Sequence, residues 1–248
     1  DVSNITQGYF AAQSDSADLV TSLQITAPTG VLYSYFIEPG ENAVIPFTEG
    51  DGDYTVVGYQ QIQGDQYAAL YSEILTVELE NDFLPFLYPN QYVNFSPDSE
   101  ASKLALSMVS ENTSDIDALK QIYNYVVNNL SYDYDKAETV ETGYLPDVDE
   151  TLSTKTGICF DYAALTTAML RSCDIPCKLQ IGYTGDIKHA WIDVYIRSKG
   201  WVTNAVSFNG DSWSLMDPTF DSSADSDDSE AIQDYIGNAD NYTVQFTR

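Results

Sequence analysis

The chain has 248 residues, 44% of them hydrophobic, with 19 Tyr and 10 Phe, enough for one large folded unit or two modest ones with well-filled cores. Its 38 acidic residues against 10 basic ones give a formal net charge of −28, a field that repels phosphate backbones and anionic surfaces and argues against nucleic acid as a partner. No run approaches the roughly 20 apolar residues that span a bilayer, so no membrane insertion is expected.

From Asp1 to about Tyr92 the sequence reads as short strands. Leu19–Ile25, Val31–Ile37, Tyr54–Gln60, Tyr67–Tyr71 and Ile74–Leu79 alternate or are rich in β-branched and aromatic residues. The turn clusters Ala27-Pro28-Thr29-Gly30, Glu38-Pro39-Gly40 and Gly50-Asp51-Gly52-Asp53 separate them. Strands at this spacing, with no helical period, predict a small immunoglobulin-like β-sandwich over residues 1–90. Asp82–Asp98, which holds Pro85, Pro89 and Pro97, reads as a linker into a second domain, 91–248.

The period then changes. Ser114 and Asp117 form a Ser-x-x-Asp cap, and Ile116, Leu119, Tyr123, Val126, Val127 and Leu130 recur at three- and four-residue steps. That pattern predicts an amphipathic helix. A second run, Cys159–Ser172, is apolar on most sides, which places a helix in the middle of a domain. Strands follow over Lys178–Tyr183 and Lys188–Ile196 around a Thr184-Gly185-Asp186 turn, then over Trp201–Val206 and Trp213–Met216. The acidic, Ser-rich stretch Asp221–Glu230 reads as a loop or disordered segment. The expected fold class is α+β, a β-sandwich followed by a domain with a central helix on an antiparallel sheet.

Three of these elements carry candidate chemistry. Cys159 opens the central helix just after Gly157, where unsatisfied backbone N–H groups and the helix dipole favour a thiolate. Gly157 permits either close backbone approach or a positive φ. His189, the single histidine, shares a strand face with Trp191, Asp193 and Tyr195, opposite the apolar Ala190, Ile192, Val194 and Ile196. The apolar face should pack into the core and leave His189 facing a polar region or a cleft, where imidazole shuttles protons near neutral pH. Asp217 ends the strand Trp213–Met216, and a carboxylate at such a strand end suits the orientation of a neighbouring imidazole. Each residue taken alone is more often structural; the order Cys, His, Asp on helix, strand and strand end is what points to a papain-type site.

Thr156-Gly157-Ile158-Cys159-Phe160-Asp161-Tyr162-Ala163, His189-Ala190-Trp191-Ile192-Asp193-Val194 and Met216-Asp217-Pro218-Thr219-Phe220 resemble the three site motifs of transglutaminase-like proteins. Ile122–Leu130 with Ser131-Tyr132-Asp133-Tyr134 resembles the segment that precedes the nucleophile in many bacterial members, so the likeness spans roughly Asp98–Phe220. It implies Cys159 as nucleophile, His189 as general base and acid, and Asp217 as orienter. Asp161, unhelpful beside a thiolate, fits the family motif as a residue that holds the loop.

The implied reaction is thiolate attack on an amide or peptide carbonyl through a thioester acyl-enzyme. Its substrate would be a protein, a peptide or a cell-wall peptide. Cleavage by water is favoured over transfer to an amine, because nothing in the sequence identifies an amine-binding pocket. A non-catalytic scaffold that keeps the fold is the remaining alternative.

Neither cofactor nor metal is expected. Asp225-Ser226-Asp227-Asp228 lacks the Gly and terminal Glu of a calcium loop, and three cysteines make neither a zinc set nor a disulfide framework. Cys173 and Cys177 read as buried thiols in preference to a pair. The acidity and the wealth of Tyr, Thr, Ser and Asn fit a secreted or cell-surface protein, with any signal segment either removed or never present. Neighbouring strands lie about 4.8 Å apart, so a strand inserted between those of His189 and Asp217 would hold them roughly 9–10 Å apart, beyond hydrogen-bond reach. The triad therefore requires that Trp201–Val206 not intervene at the level of His189.

Overall fold

The alternation of the first eighty residues folds as six strands: β1 (Tyr9–Gln13), β2 (Thr21–Thr26), β3 (Leu32–Ile37), β4 (Asn42–Pro46), β5 (Gly52–Gln63) and β6 (Gln66–Val77). The structure, a computed structural model, describes residues 1–64, 66–202, 206–209, 212–215 and 242–248. The chain divides into two compact units, Asp1–Pro85 and Phe86–Arg248.

In the first unit the strands form one antiparallel sheet in the order β3-β2-β5-β6 and a two-stranded sheet of β1 and β4. Apolar residues from both are buried, among them Phe10 and Ile45 from the smaller sheet and Leu23, Tyr35, Tyr54 and Val77 from the larger. Phe47 sits between them, 5.5 Å from the Phe10 ring and 4.8 Å from that of Tyr54. β1 and β4 escape the sequence reading because each is only five residues long and shows no clear alternation. The two expected strands Tyr67–Tyr71 and Ile74–Leu79 are one continuous strand, β6, whose irregular pairing to β5 between Gly58 and Tyr59 breaks the alternation visible in sequence.

The second unit takes in the larger part of the stretch read as a linker, from Phe86 on. Phe86, Asn90 and Val93 are buried, the Tyr88 carbonyl accepts a hydrogen bond from Arg171, and Val93 belongs to the main core. The three prolines shape an ordered approach here instead of a free connection.

Four helices then lead to the central one: α1 (Glu100–Met108), α2 (Asp115–Asn129), α3 (Tyr134–Thr139) and α4 (Val148–Thr154), with the two-residue strand β7 (Ser131–Tyr132) between α2 and α3. Ser114 caps α2 by accepting from the Asp117 N–H at 3.1 Å. Asp133 caps α3 and Asp147 caps α4. Asp149 reaches across to the first N–H groups of α1, at 3.1 Å to Glu100 and 2.9 Å to Ala101. Acidic residues at helix N-termini satisfy orphan donors and complement the dipole, one local use for so acidic a composition.

β8 (Thr156–Gly157) leads into α5 (Cys159–Ser172), the helix expected at the centre. Every residue from Asp161 to Arg171 is buried, and α5 packs on α1, α2 and α4 and on β9 (Cys177–Thr184) and β10 (Ile187–Ile196). β11 (Gly200–Val202), β12 (Val206–Asn209), β13 (Ser212–Leu215) and β14 (Tyr242–Thr247) follow. The main sheet runs β11-β10-β9-β14 and is antiparallel throughout; β12 and β13 pair with each other. Among the described residues no helix is long and apolar enough to cross a membrane. The acidic stretch Asp221–Glu230 lies outside the described residues.

Candidate active site

The N-terminus of α5 is fixed from both sides. β8 pairs in parallel with β7, Thr156 beside Ser131 and Gly157 beside Tyr132. The Ser131 and Asp133 N–H groups donate to the Lys155 and Gly157 carbonyls, both at 2.9 Å. Ile158 is the extended N-cap, and Cys159 begins the helix, partly buried and with a free thiol.

Because Ile158 has no side-chain acceptor, the helix is capped from its third position. Asp161 reaches back so that the Ile158 N–H donates to its Oδ2 at 2.8 Å, the reverse half of a capping box. Gly157 makes room for that return: a Cβ there would lie 2.6 Å from the Cβ of Asp161. Of the two reasons for glycine at 157, close approach is the operative one.

Asp161 is fully buried and would be costly as a lone charge. Lys136 Nζ donates to its Oδ2 at 2.8 Å, Tyr144 Oη donates to its Oδ1 at 2.5 Å, and Lys136 Nζ donates to Tyr144 Oη at 2.7 Å. Burial and the bond to Asp161 push the Tyr144 hydroxyl up to about 12, so it remains a donor. Burial pulls the Lys136 ammonium down, but its hydrogen bonds to Asp161 and Tyr144 outweigh that and hold it above its ordinary value. The expected loop-holding role of Asp161 has a definite form here: cap, ion pair and tyrosine bond together. Lys136 and Tyr144 are additions to the sequence reading. The signal for Lys136 was its place two residues past the Tyr132-Asp133-Tyr134 segment, in a chain with only 10 basic residues.

His189 lies on β10 directly opposite Gly182 of β9. A Cβ on Gly182 would meet the Thr243 carbonyl oxygen at 1.9 Å and the Trp191 ring at 3.0 Å, so a side chain here is incompatible with both β14 and the indole. His189 is 6% exposed and Trp191 0%, with their rings stacked at 6.4 Å and 20°. The expected polar surroundings of His189 are present, and His189, Trp191 and Asp193 on that face are themselves buried. Tyr242, from β14 of the same sheet, brings its ring to 5.1 Å from Trp191, and polar pairs lie beside it. Gln180 Nε2 donates to Asp193 Oδ2 at 2.7 Å, and Thr247 Oγ1 donates to Gln180 Oε1 at 2.8 Å. The Trp191 indole N–H is buried with no hydrogen-bond partner among the described residues.

Cys159 and His189 therefore sit on elements, α5 and β10, that pack directly on each other. Asp217 follows β13 by two positions in sequence and lies outside the described residues. β11, which begins the expected Trp201–Val206 strand, pairs with β10 only from Val194 to Ile196. Val194 is five positions from His189, about 17 Å along an extended strand, so β11 does not intervene at the level of His189. The other two thiols are free and poorly placed for chemistry. Burial pushes Cys173 up to about 11 and Cys177 up to about 12.

Residues 102–218 match the sequence model of the transglutaminase-like superfamily core domain. The chain is 24% identical over 183 residues, 64% of its length, to YebA, an uncharacterized protein of Bacillus subtilis. It is 40% identical over 62 residues, 23% of its length, to the UPF0252 protein MJ1282 of Methanocaldococcus jannaschii. These matches span 25% and 18% of the two relatives' own lengths. A crystal structure of a protein from Cytophaga hutchinsonii, provisionally assigned as a cysteine protease, aligns with 85% of this chain and 78% of its own. That alignment has a TM-score of 0.42 and 20% identity.

Proposed function

We propose that the chain, whose residues 102–218 match the model of the transglutaminase-like superfamily, cleaves an amide or peptide bond through a thioester acyl-enzyme. The observation that carries this reading is the placement of Cys159 as the first residue of a buried helix that packs on the strand bearing His189.

In the proposed reaction Cys159 Sγ, as thiolate, attacks the carbonyl carbon and forms a C–S bond while the carbonyl electron pair moves onto oxygen. Collapse of that adduct breaks the C–N bond. The amine leaves with a proton from His189. A water molecule then attacks the thioester, gives a proton to His189, and releases the acid as the C–S bond breaks and the thiolate returns. Asp217 is assigned the orienting role on its motif, Met216–Phe220.

The test is intact-protein mass spectrometry of the enzyme quenched with acid during turnover of a peptide mixture. An added mass equal to an acyl fragment, removable by hydroxylamine and absent in Cys159→Ala, is the expected result. His189→Ala should reduce acyl-enzyme formation by at least about 100-fold. Turnover that survives Cys159→Ala would sink the reading. Addition of a lysine-like amine distinguishes the acceptor: hydrolysis leaves acid as the main product, and an amide of the added amine marks transfer.

A further inference from the structure

A buried carboxylate in the first turn of α5 poses a problem for a nucleophile two residues before it. Negative charge opposes the formation of a thiolate nearby. Capping alone does not require that charge, since Ser, Thr or Asn accept the same kind of bond from a helix N-terminus. Yet Asp161 is fully buried, and its carboxylate meets three donors: the Ile158 N–H, Lys136 Nζ and Tyr144 Oη. Lys136 Nζ also donates to Tyr144 Oη at 2.7 Å, which closes the three side chains into a ring. The lysine side chain is 30% exposed and Tyr144 is partly buried, so Asp161 is the member shut off from solvent.

We infer that Lys136 is a positioning residue for the proposed reaction: its ammonium cancels the charge of Asp161 at the start of α5, so that the carboxylate caps the nucleophile's helix without opposing the thiolate of Cys159. Tyr144 holds the pair in register. This rests on Cys159 being the nucleophile.

Among the described residues, the titratable groups placed around this end of the helix are Asp133, which caps α3, Lys155 before β8, Lys136 and Tyr144, Tyr132 of β7 beside Gly157, and Tyr92, whose ring lies 6.3 Å from that of Phe160. β10 brings His189. The core residues that α1, α2 and α4 contribute around α5, such as Ala101, Leu119, Ile122, Val126 and Val148, carry no charge.

The experiment is the pH–rate profile of iodoacetamide alkylation at Cys159 in the full chain, read by peptide mass spectrometry from pH 5 to 10. Four variants accompany the wild type: Lys136→Met, Lys136→Arg, Asp161→Asn and the double variant Lys136→Met/Asp161→Asn. Lys136→Met should slow alkylation of Cys159 roughly tenfold at a fixed pH on the rising limb. Lys136→Arg should leave it near the wild-type position, and Asp161→Asn should move it lower. The double variant should return towards wild type, which lost packing could not produce. If Lys136→Met does not fold, the downward move in Asp161→Asn carries the same test. A selective, titrating wild-type Cys159 with profiles unmoved in the variants overturns this inference alone. A wild-type Cys159 that reacts no faster than the thiols of the denatured chain overturns the nucleophile assignment and this inference with it.

Discussion

Arg171 offers the sharpest energetic test of how the second unit is held together. Its guanidinium, 2% exposed, has no carboxylate partner among its recorded contacts. Nε and Nη2 donate to the Cys177 carbonyl at 3.0 and 2.8 Å, Nη1 to the Tyr88 carbonyl at 2.7 Å, and Nη2 to the Arg248 carbonyl at 2.9 Å. One side chain on α5 thus ties down the segment before α1, the start of β9 and the residue after β14. Burial pushes the guanidinium down to about 10, so it is still charged at neutral pH and its hydrogen bonds are charge-assisted.

Arg171→Met keeps much of the apolar stem and strands three carbonyls. Each loss is worth about 1–3 kcal/mol, and partial relaxation of the segments reduces the sum to about 3–5 kcal/mol. That is a large share of the roughly 5–15 kcal/mol that stabilises an ordinary domain. All three tryptophans, Trp191, Trp201 and Trp213, fall in the second unit, so indole fluorescence in urea reports that unit separately. With a slope of about 2 kcal/mol per molar, the midpoint should fall by about 2 M. Arg171→Lys should lie between, because an ammonium cannot serve three divergent carbonyls as a planar fork does. A midpoint shift below about 0.5 M for Arg171→Met would refute the reasoning.

At pH 8, iodoacetamide should modify the native chain once, at Cys159. Thiols pushed up to about 11 and about 12 are ionised to only about one part in a thousand and one in ten thousand; peptide mapping that finds Cys173 or Cys177 labelled at a similar rate counts against the burial described. Burial raises Cys177 from 9.0 to about 12 and Tyr144 from 10.0 to about 12, so the folded state binds these protons more tightly than the unfolded one. The stability they contribute is complete below about pH 9 and is lost as pH rises towards 12; urea midpoints should decline from pH 9 upward, and less steeply in Cys177→Ala. Gly182→Ala should cost at least about 2 kcal/mol and loosen β14, because the added methyl would collide with the Thr243 carbonyl; amide exchange over Tyr242–Thr247 no faster than in wild type would contradict this.

The elements that could be read from sequence are those whose own residues determine them. α2 announces itself by the Ser114–Asp117 cap and a three-four apolar step, and both appear in the structure. α5 was legible because its whole surface is buried, and the β9–β10 hairpin because Gly185 supplies the positive φ its two-residue turn needs. α1, α3 and α4 were missed for a common reason. Nine, six and seven residues long, they show too few turns to display a period, and helices so short depend on tertiary contacts. β14 was missed because its role comes from β9, far away in sequence. The burial of the His189 face of β10 is likewise invisible locally, since Tyr242 of β14 reaches Trp191 only once β14 has paired with β9. Of the site, Cys159 and His189 follow from motif and element type. The Asp161–Lys136–Tyr144 ring does not, since its members meet only once α3 has folded beside α5.

The fate of the basic residues ties these observations together. The chain has 10 of them against 38 acidic ones, so simple pairing would leave most carboxylates unmatched wherever the cations went. Several of the cations are nonetheless held within the second unit. Arg171 binds carbonyls, Arg248 lies 4.2 Å over the Tyr92 ring, Lys178 lies 4.1 Å over Trp201, Arg197 pairs with Asp115, and Lys136 meets Asp161. The carboxylate that Lys136 meets is fully buried and caps the helix that begins with Cys159. Surface acids are screened by water and salt within about 10 Å, whereas a buried one is not. On the inference drawn above, the buried charge beside the proposed nucleophile is answered by Lys136, and the overall charge of −28 acts mainly at the screened surface.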